Sequence, residues 1–183
     1  MTGAQIGQNC NIGQNVFIAA NVVIGDNVKI QNNVSVYTGV MIGDDVFIGP
    51  SVVFTNVINP RSRVERKSEY QPTIIQRGAS IGANSTVLCG ITLGRFSFIG
   101  AGAVVTRSVP DYALVFGNPA RVRGWMCECG VKLNLRQRMD ICICSACGKL
   151  YQIANGTLIV SPAATIGAES EKFNNGSRAD RLS

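Results

Sequence analysis

Every sixth residue from Ile6 onward is large and apolar: Ile6, Ile12, Ile18, Ile24, Ile30, Val36, Ile42, Ile48 and Phe54. Four positions after each stands a second such residue: Cys10, Val16, Val22, Val28, Val34, Val40, Val46, Val52 and Ile58. Glycine often follows the first position, as at Gly7, Gly13, Gly25, Gly43 and Gly49. A period of six fits neither the helical 3.6 nor the heptad 3.5. It is a multiple of two, so two residues per hexad face inward from extended chain and polar residues take the turn. Asn and Gly accept the left-handed backbone that such turns need and that β-branched residues resist. The pattern predicts an all-β fold, a parallel β-helix.

The register restarts at Ile75, Ile81, Val87, Leu93, Ile99 and Val105. Phe54 to Ile75 is 21 residues, which is not a multiple of six, so an insertion breaks the phase. With three hexads per coil of a triangular prism, about three coils precede an excursion near Pro60–Thr73 and about two follow it. The expected organisation is a β-helix over 1–125 with an inserted loop near 60–74, a small module over 126–161 and a mobile tail over 162–183. Hydrophobic residues make up 46% of the chain and charged ones only 15%, too few to coat the exposed faces of a helical bundle. No apolar stretch approaches the roughly 20 residues that span a bilayer, and the first residues lack a basic and apolar leader pattern, so a soluble cytoplasmic protein is expected. Flat prism faces suit a symmetric homo-oligomer.

The net charge is +6. Much of the excess is local: Arg61, Arg63, Arg66, Lys67 and Arg77 stand against Glu65 and Glu69. A clustered excess favours one anionic ligand, a phosphate or carboxylate, over a nucleic-acid surface, and no aromatic interleaving suggests base stacking. The plain alternative is a solvated basic loop.

Five of the seven cysteines fall within 21 residues of a chain without a secretory signal, so disulfides are not expected. Cys127-Glu128-Cys129-Gly130 and Cys144-Ser145-Ala146-Cys147-Gly148 form two pairs separated by 14 residues, like a zinc ribbon with four thiolate ligands. The first pair is one residue short of the usual spacing, which leaves Cys142 as a substitute ligand. Such a Zn2+ site is closed and structural; loose reduced cysteines are the alternative. Cys10 and Cys89 lie inside the repeats, as small core residues.

The segments Gly78-Ala79-Ser80-Ile81-Gly82-Ala83-Asn84, Ile99–Thr106 (IGAGAVVT) and Gly117-Asn118-Pro119-Ala120-Arg121 resemble the hexapeptide acyltransferases over about residues 6–125. Phe54–Arg61 (FTNVINPR) and Glu65–Tyr70 (ERKSEY) are similar to one branch. That branch holds the nucleotide-sugar 3-amino N-acetyltransferases of cell-surface polysaccharide synthesis, such as those acting on UDP-2-acetamido-3-amino-2,3-dideoxyglucuronate. The resemblance implies a left-handed coil, a homotrimer with sites in the clefts between subunits, and acetyl-CoA as donor. It makes Arg107 and Arg121, in the closing elements, candidates for the CoA phosphates, with an oxyanion-stabilising N–H near Gly102 or Ala103. Arg61, Lys67 and Arg77 become candidates for the UDP phosphates or a uronate carboxylate. Tyr70 is a candidate for stacking on the base, or simply an anchor for its loop.

The chain contains no histidine. A sugar hydroxyl is a very weak acid and needs a base near neutral pH, the role histidine fills in many of these transferases. A free amine is already nucleophilic, so positioning and oxyanion stabilisation suffice. N-acetylation is therefore favoured over O-acetylation, and a zinc hydratase with imidazole ligands is disfavoured. Asn84, just after the insertion, is the candidate to hold the attacking amine; as a plain turn asparagine it does nothing of the kind. The other readings are acetylation of another small amine or of a hydroxyl, with Asp44, Asp45 or Glu69 as base, and a non-catalytic scaffold docking through the ribbon module.

Overall fold

The computed structural model describes residues 3–135, 141–154 and 157–161. Each hexad folds as one short strand and one corner. The first coil holds β1 (Gln5–Ile6), β2 (Asn11–Ile12) and β3 (Phe17–Ile18), and the second β4 (Val23–Ile24), β5 (Lys29–Ile30) and β6 (Ser35–Val36). The third holds β7 (Val40–Ile42), β8 (Phe47–Ile48) and β9 (Val53–Phe54). After the insertion come β10 (Thr73–Ile75), β11 (Ser80–Ile81) and β12 (Thr86–Val87), then β13 (Thr92–Leu93), β14 (Phe98–Ile99) and β15 (Val104–Val105). Three coils before the break and two after it match the sequence reading.

Equivalent strands of successive coils pair in parallel and build three faces. The first face is β1-β4-β7-β10-β13, the second begins β2-β5-β8-β11-β14, and the third is β3-β6-β9-β12-β15. Ile6 pairs with Ile24 and Ile24 with Ile42, a coil of 18 residues. Two apolar residues per hexad point inward, so Val22, Ile24, Val28, Ile30, Val34 and Val36 are all fully buried in one continuous core. Each buried apolar side chain contributes roughly 1.5–3 kcal/mol, which is why the repeat positions tolerate only apolar residues. The corners carry the left-handed residues: Asn9, Asn15, Asn21, Asn27 and Asn33 have φ between 54° and 61°. Coils pack closely at the corners; a Cβ on Gly82 would lie 2.5 Å from the Ala101 nitrogen of the next coil.

The insertion leaves the stacking undisturbed. Ile42 pairs with Ile75, 33 positions on where one coil needs 18, so 15 residues are extra. They emerge at the third corner, between the third and first faces. The loop includes a single 3-10 turn, Lys67–Glu69, and its two ends meet in a hydrogen bond from Gln71 N–H to the Asn56 carbonyl of 2.9 Å.

Past the last coil, β16 (Ala113–Phe116) adds to the second face parallel to β14. The chain then reverses through the turn holding a cis Asn118–Pro119 bond into β17 (Arg121–Met126), antiparallel to β16, and β18 (Lys132–Leu133) follows. The boundary drawn at residue 125 thus falls inside β17, because the sheet runs on where the hexads end. A separate antiparallel sheet holds β19 (Ile141–Ile143), β20 (Leu150–Ala154) and β21 (Thr157–Ser161). The tail assigned to 162–183 lies outside the described residues. No helix among the described residues is long and apolar enough to cross a membrane.

Candidate functional site

The polar residues singled out in the sequence distribute over the three corners of the prism. At the second corner, Asn15, Asn33, Ser51, Asn84 and Gly102 stand one above another, each in the left-handed conformation apart from the strand pairs they link. The Asn84 N–H donates to the Pro50 carbonyl at 3.0 Å and the Gly102 N–H to the Ala83 carbonyl at 2.8 Å. Lower in this column Asn15 donates to Asn33 at 3.3 Å, a ladder of side-chain amides. Asn84 has Ser51 below and Gly102 above, and Gly102 offers no side chain to extend the ladder. The exposed carboxamide of Asn84 therefore faces the surface beside a bare corner.

The backbone donors suggested for an oxyanion have partners within the chain. The Gly102 N–H is used as just described, and the Ala103 N–H donates to the Gly100 carbonyl at 3.3 Å, with Ala103 fully buried. The first of these bonds joins successive coils and the second closes a local turn, so each N–H has a backbone partner within the chain.

Arg77 sits at the first corner. Its Nε and an Nη each lie 2.9 Å from Asp45 Oδ2, while Asn27 donates to Asp45 Oδ1 at 2.9 Å. The Asn27 hydrogen bond, with the Arg77 guanidinium, holds the Asp45 carboxyl below its ordinary 3.8. That makes Asp45 a poor base, and Arg77 reaches it in a pair on the exposed surface. Asp44 lies one residue earlier, its Oδ1 accepting from the Asp26 N–H at 2.9 Å.

The third corner carries the insertion. Within it Arg66 pairs with Glu69 at 2.8 Å and Lys67 with Glu65 at 3.3 Å. Glu69 is thereby occupied. Arg61 and Arg63 line an open hollow of about 660 Å3 together with Ser62 and Val64. Tyr70 is exposed on the loop, and Arg107 lies exposed at the same corner two coils on, next to Ser108, whose Oγ accepts from the Thr92 N–H at 3.1 Å. Arg121 opens β17 with an Nη 2.9 Å from the Ala120 carbonyl. Arg61, Lys67, Tyr70 and Arg107 thus share one edge of the prism and Asn84 another, with the third face between them; Arg77 stands on the remaining edge.

The four predicted thiols converge. The Sγ atoms of Cys127, Cys129, Cys144 and Cys147 all lie within 4.8 Å of one another, Cys127 to Cys147 at 3.3 Å and Cys129 to Cys144 at 3.5 Å. Cys142 stays outside, opposite Tyr151 in the β19–β20 pair. The backbone N–H groups of Cys147 and Ala146 point at Cys144 and draw its thiol down to about 6. A set of soft sulfur donors with no open position suits a structural metal ion rather than a catalytic one.

The bacterial transferase hexapeptide family model (six repeats) matches residues 21–56 and 72–107, stopping and resuming on either side of the insertion. The model for the hexapeptide repeat of succinyl-transferase matches residues 3–38. A solved hexapeptide-repeat acetyltransferase from Vibrio cholerae is 30% identical with a TM-score of 0.56, over 66% of this chain and 73% of that one. The chain belongs to the hexapeptide-repeat transferases. The same Vibrio cholerae protein has been solved in complex with acetyl coenzyme A, at 28% identity and a TM-score of 0.58, covering 66% and 70% of the two chains. Among hexapeptide-repeat relatives, a dTDP-3-amino-3,6-dideoxy-alpha-D-galactopyranose 3-N-acetyltransferase of Aneurinibacillus thermoaerophilus is 49% identical over 84 residues, 46% of this chain and 42% of that one. The chain spans less than half the length of the curated relatives it matches.

The family matches end at residue 107, so the cysteine cluster lies beyond them. Sequence reasoning placed Arg63 in the basic cluster but did not single it out beside Arg61, with which it lines the hollow. It also missed Phe96 and Tyr112, which occupy left-handed corner positions with φ of 53° and 61°. The signal was there: an aromatic stands at a six-residue turn position where Asn, Asp or Gly stands elsewhere.

Proposed function

We propose that this hexapeptide-repeat transferase moves the acetyl group of acetyl-CoA onto the 3-amino group of a nucleotide-linked sugar, in cytoplasmic synthesis of a cell-surface polysaccharide. The observation that carries the reading is a frame of this family without a single histidine, in a chain 49% identical over 84 residues to a relative named for acetylating a sugar amine. The amine nitrogen attacks the thioester carbonyl, the carbon–sulfur bond breaks and CoA leaves as the thiolate, which takes up the proton the nitrogen gives away. The Asn84 carboxamide oxygen accepts a hydrogen bond from the amine and aims its lone pair, an effect of position rather than of proton abstraction.

No single subunit gathers the candidate residues, because the Asn84 corner and the insertion corner flank opposite sides of the third face. A trimer answers this: in a cleft between neighbours, the corner of one subunit meets the loop of the next, a symmetric arrangement for a left-handed prism. The exposed apolar column Val23, Met41 and Ile74 on the first face supports such packing, since an outward row of this kind is buried by another subunit. Arg61 and Arg63 take the diphosphate or a sugar carboxylate, with Lys67 and Tyr70 beside them, and Arg107 and Arg121 take the CoA phosphates. Within this reading the acceptor is a UDP-linked 2-acetamido-3-amino uronate, and its dTDP-linked deoxysugar counterpart is the specific competitor. Zinc enters only as a structural ion on Cys127, Cys129, Cys144 and Cys147, apart from acetyl transfer.

The test is CoA release, followed chromatographically, with a panel of UDP- and dTDP-linked 3-amino sugars and their 3-hydroxy counterparts. Release with an amino sugar and not with its hydroxy counterpart is expected. Preference for the hydroxy sugars defeats the nucleophile assignment, and no release with any acceptor favours a scaffold. Asn84→Ala is expected to lower turnover by about a hundredfold or more while leaving the oligomer intact; near wild-type turnover removes Asn84 from the site.

A further inference from the structure

An aromatic column joins the first corner of the β-helix to the cysteine cluster. At that corner Asn27, Asp45 and Gly78 are followed by Phe96 and Tyr112, all left-handed. Bulky side chains resist that backbone, so two consecutive aromatics there are held by what they touch. The Phe96 ring lies over Gly78, where a Cβ would fall 2.3 Å from its Cδ1. Phe96 stacks on Tyr112 with ring centroids 5.5 Å apart and planes 14° apart, and Tyr112 meets Tyr151 edge-on at 5.9 Å. The Tyr151 hydroxyl lies 3.0 Å from Cys127 Sγ and accepts from the Glu128 N–H at 3.1 Å. Tyr112 in turn bonds to Glu128 at 3.2 Å, and Glu128 pairs with Lys149.

The core around this column is small. Its buried members are Cys127, Leu133, Cys144, Tyr151, Ile153 and Leu158, together with Tyr112 from the coil itself. Two of those are metal-ligand candidates, so the segment has little apolar substance of its own, and segments this small fold with a metal or not at all. A tetrahedral zinc with bonds of about 2.3 Å to sulfur sets its ligands about 3.8 Å apart. The observed spacings, from 3.3 Å to at most 4.8 Å, bracket that value.

Resting on the metal reading above, we propose that one zinc ion on Cys127, Cys129, Cys144 and Cys147 folds the described residues 127–135, 141–154 and 157–160 into a cap over the Phe96–Tyr112 corner, and that without the ion the cap opens while the β-helix stays folded. The two hydrophobic cores are distinct, and β17 is held on the prism by β16, so opening stops near Met126. Trp125, the single tryptophan, packs against both cores and reports on the seam.

The experiment uses the full chain purified under reducing conditions without added metal. Elemental analysis is expected to find one zinc per chain in the wild type and in Cys142→Ser, and none in Cys144→Ser or Cys147→Ser. Chelation is expected to shift Trp125 emission to the red and to open protease cleavage after Met126. A resistant fragment with unchanged far-ultraviolet β signal should remain, and zinc should reverse the emission change. Absence of zinc from fresh reduced protein, or iron in its place, overturns the metal reading. One zinc per chain with emission and protease resistance unmoved by its removal leaves the metal reading standing and overturns the cap. Loss of the β-helix signal together with the cap also overturns the proposal, since the prism would then depend on the ion.

Discussion

Two glycines on the β-helix share a backbone and differ in what surrounds them, so substituting each by alanine isolates one interaction. Gly78 has φ of 71° and Gly102 φ of 69°. A Cβ on Gly102 meets nothing within 4 Å, whereas one on Gly78 would fall 2.3 Å from Phe96 Cδ1 and 2.4 Å from its Cε1. Left-handed backbone costs an L-residue about 1–2 kcal/mol, and that cost is common to both variants. Gly78→Ala must also push the Phe96 ring aside, which forfeits a stacked pair with Tyr112 of about 0.5–1.5 kcal/mol and adds strain of about 1–3 kcal/mol. Gly102→Ala is therefore expected to cost about 1–2 kcal/mol and Gly78→Ala about 2.5–6.5 kcal/mol. Chemical denaturation at one fixed protein concentration measures both, since an oligomer's midpoint depends on concentration. The double variant Gly78→Ala with Phe96→Ala should fall well short of additive, because the ring that clashes has gone. Equal costs for the two glycines, or strict additivity in the double variant, would refute the aromatic column as an energetic unit.

Ile81→Ala removes a fully buried side chain between two coils and should cost about 2–5 kcal/mol, read from the same denaturation curves. The Asp45 carboxyl is held below its ordinary 3.8 by Asn27 and Arg77. A lowered carboxyl contributes stability above its unfolded value and loses it as pH falls through the folded one. Asp45→Asn should thus reduce stability by under about 1 kcal/mol, unchanged from pH 5 to 8, with the difference closing only below about pH 4. Replacing Arg61 and Arg63 together by Ala should raise KM for the nucleotide sugar about tenfold or more with kcat little changed, since each charge-assisted hydrogen bond is worth about 1.5–3 kcal/mol; an unchanged KM removes the hollow from the substrate site.

The prism was legible because its signal repeats. Each hexad is a local statement about two inward side chains and a turn, and Ile6, Ile24, Ile42, Ile75 and Leu93 state it for one face alone. The thiol cluster was legible for a related reason: two short cysteine pairs name four donors, and only Cys142 had to be excluded by geometry. What sequence could not supply was which polar groups are already spent. Arg77 has Asp45, 32 positions earlier, beside it one coil below, a partner that no spacing in the sequence announces. The N–H groups of Gly102 and Ala103 find the Ala83 and Gly100 carbonyls only once the coils are built. Phe96 and Tyr112 went unread, because their meaning lies in Tyr151, which approaches them only through the folded cap.

The clasp between Asn56 and Gln71 closes the insertion onto the prism by one backbone hydrogen bond, with Ile42 and Ile75 still in step beneath it. The segment is therefore hung on the frame rather than woven into it. Lengthening a loop whose ends are already pinned costs only about 0.6 kcal/mol per doubling. Such a chain is able to exchange the whole stretch between those two residues for another of different length and charge without renegotiating a single core contact. Loop and architecture become separately heritable: a lineage can vary the charge at this corner at the pace of surface mutation while its solenoid stays under the slow constraint of packing.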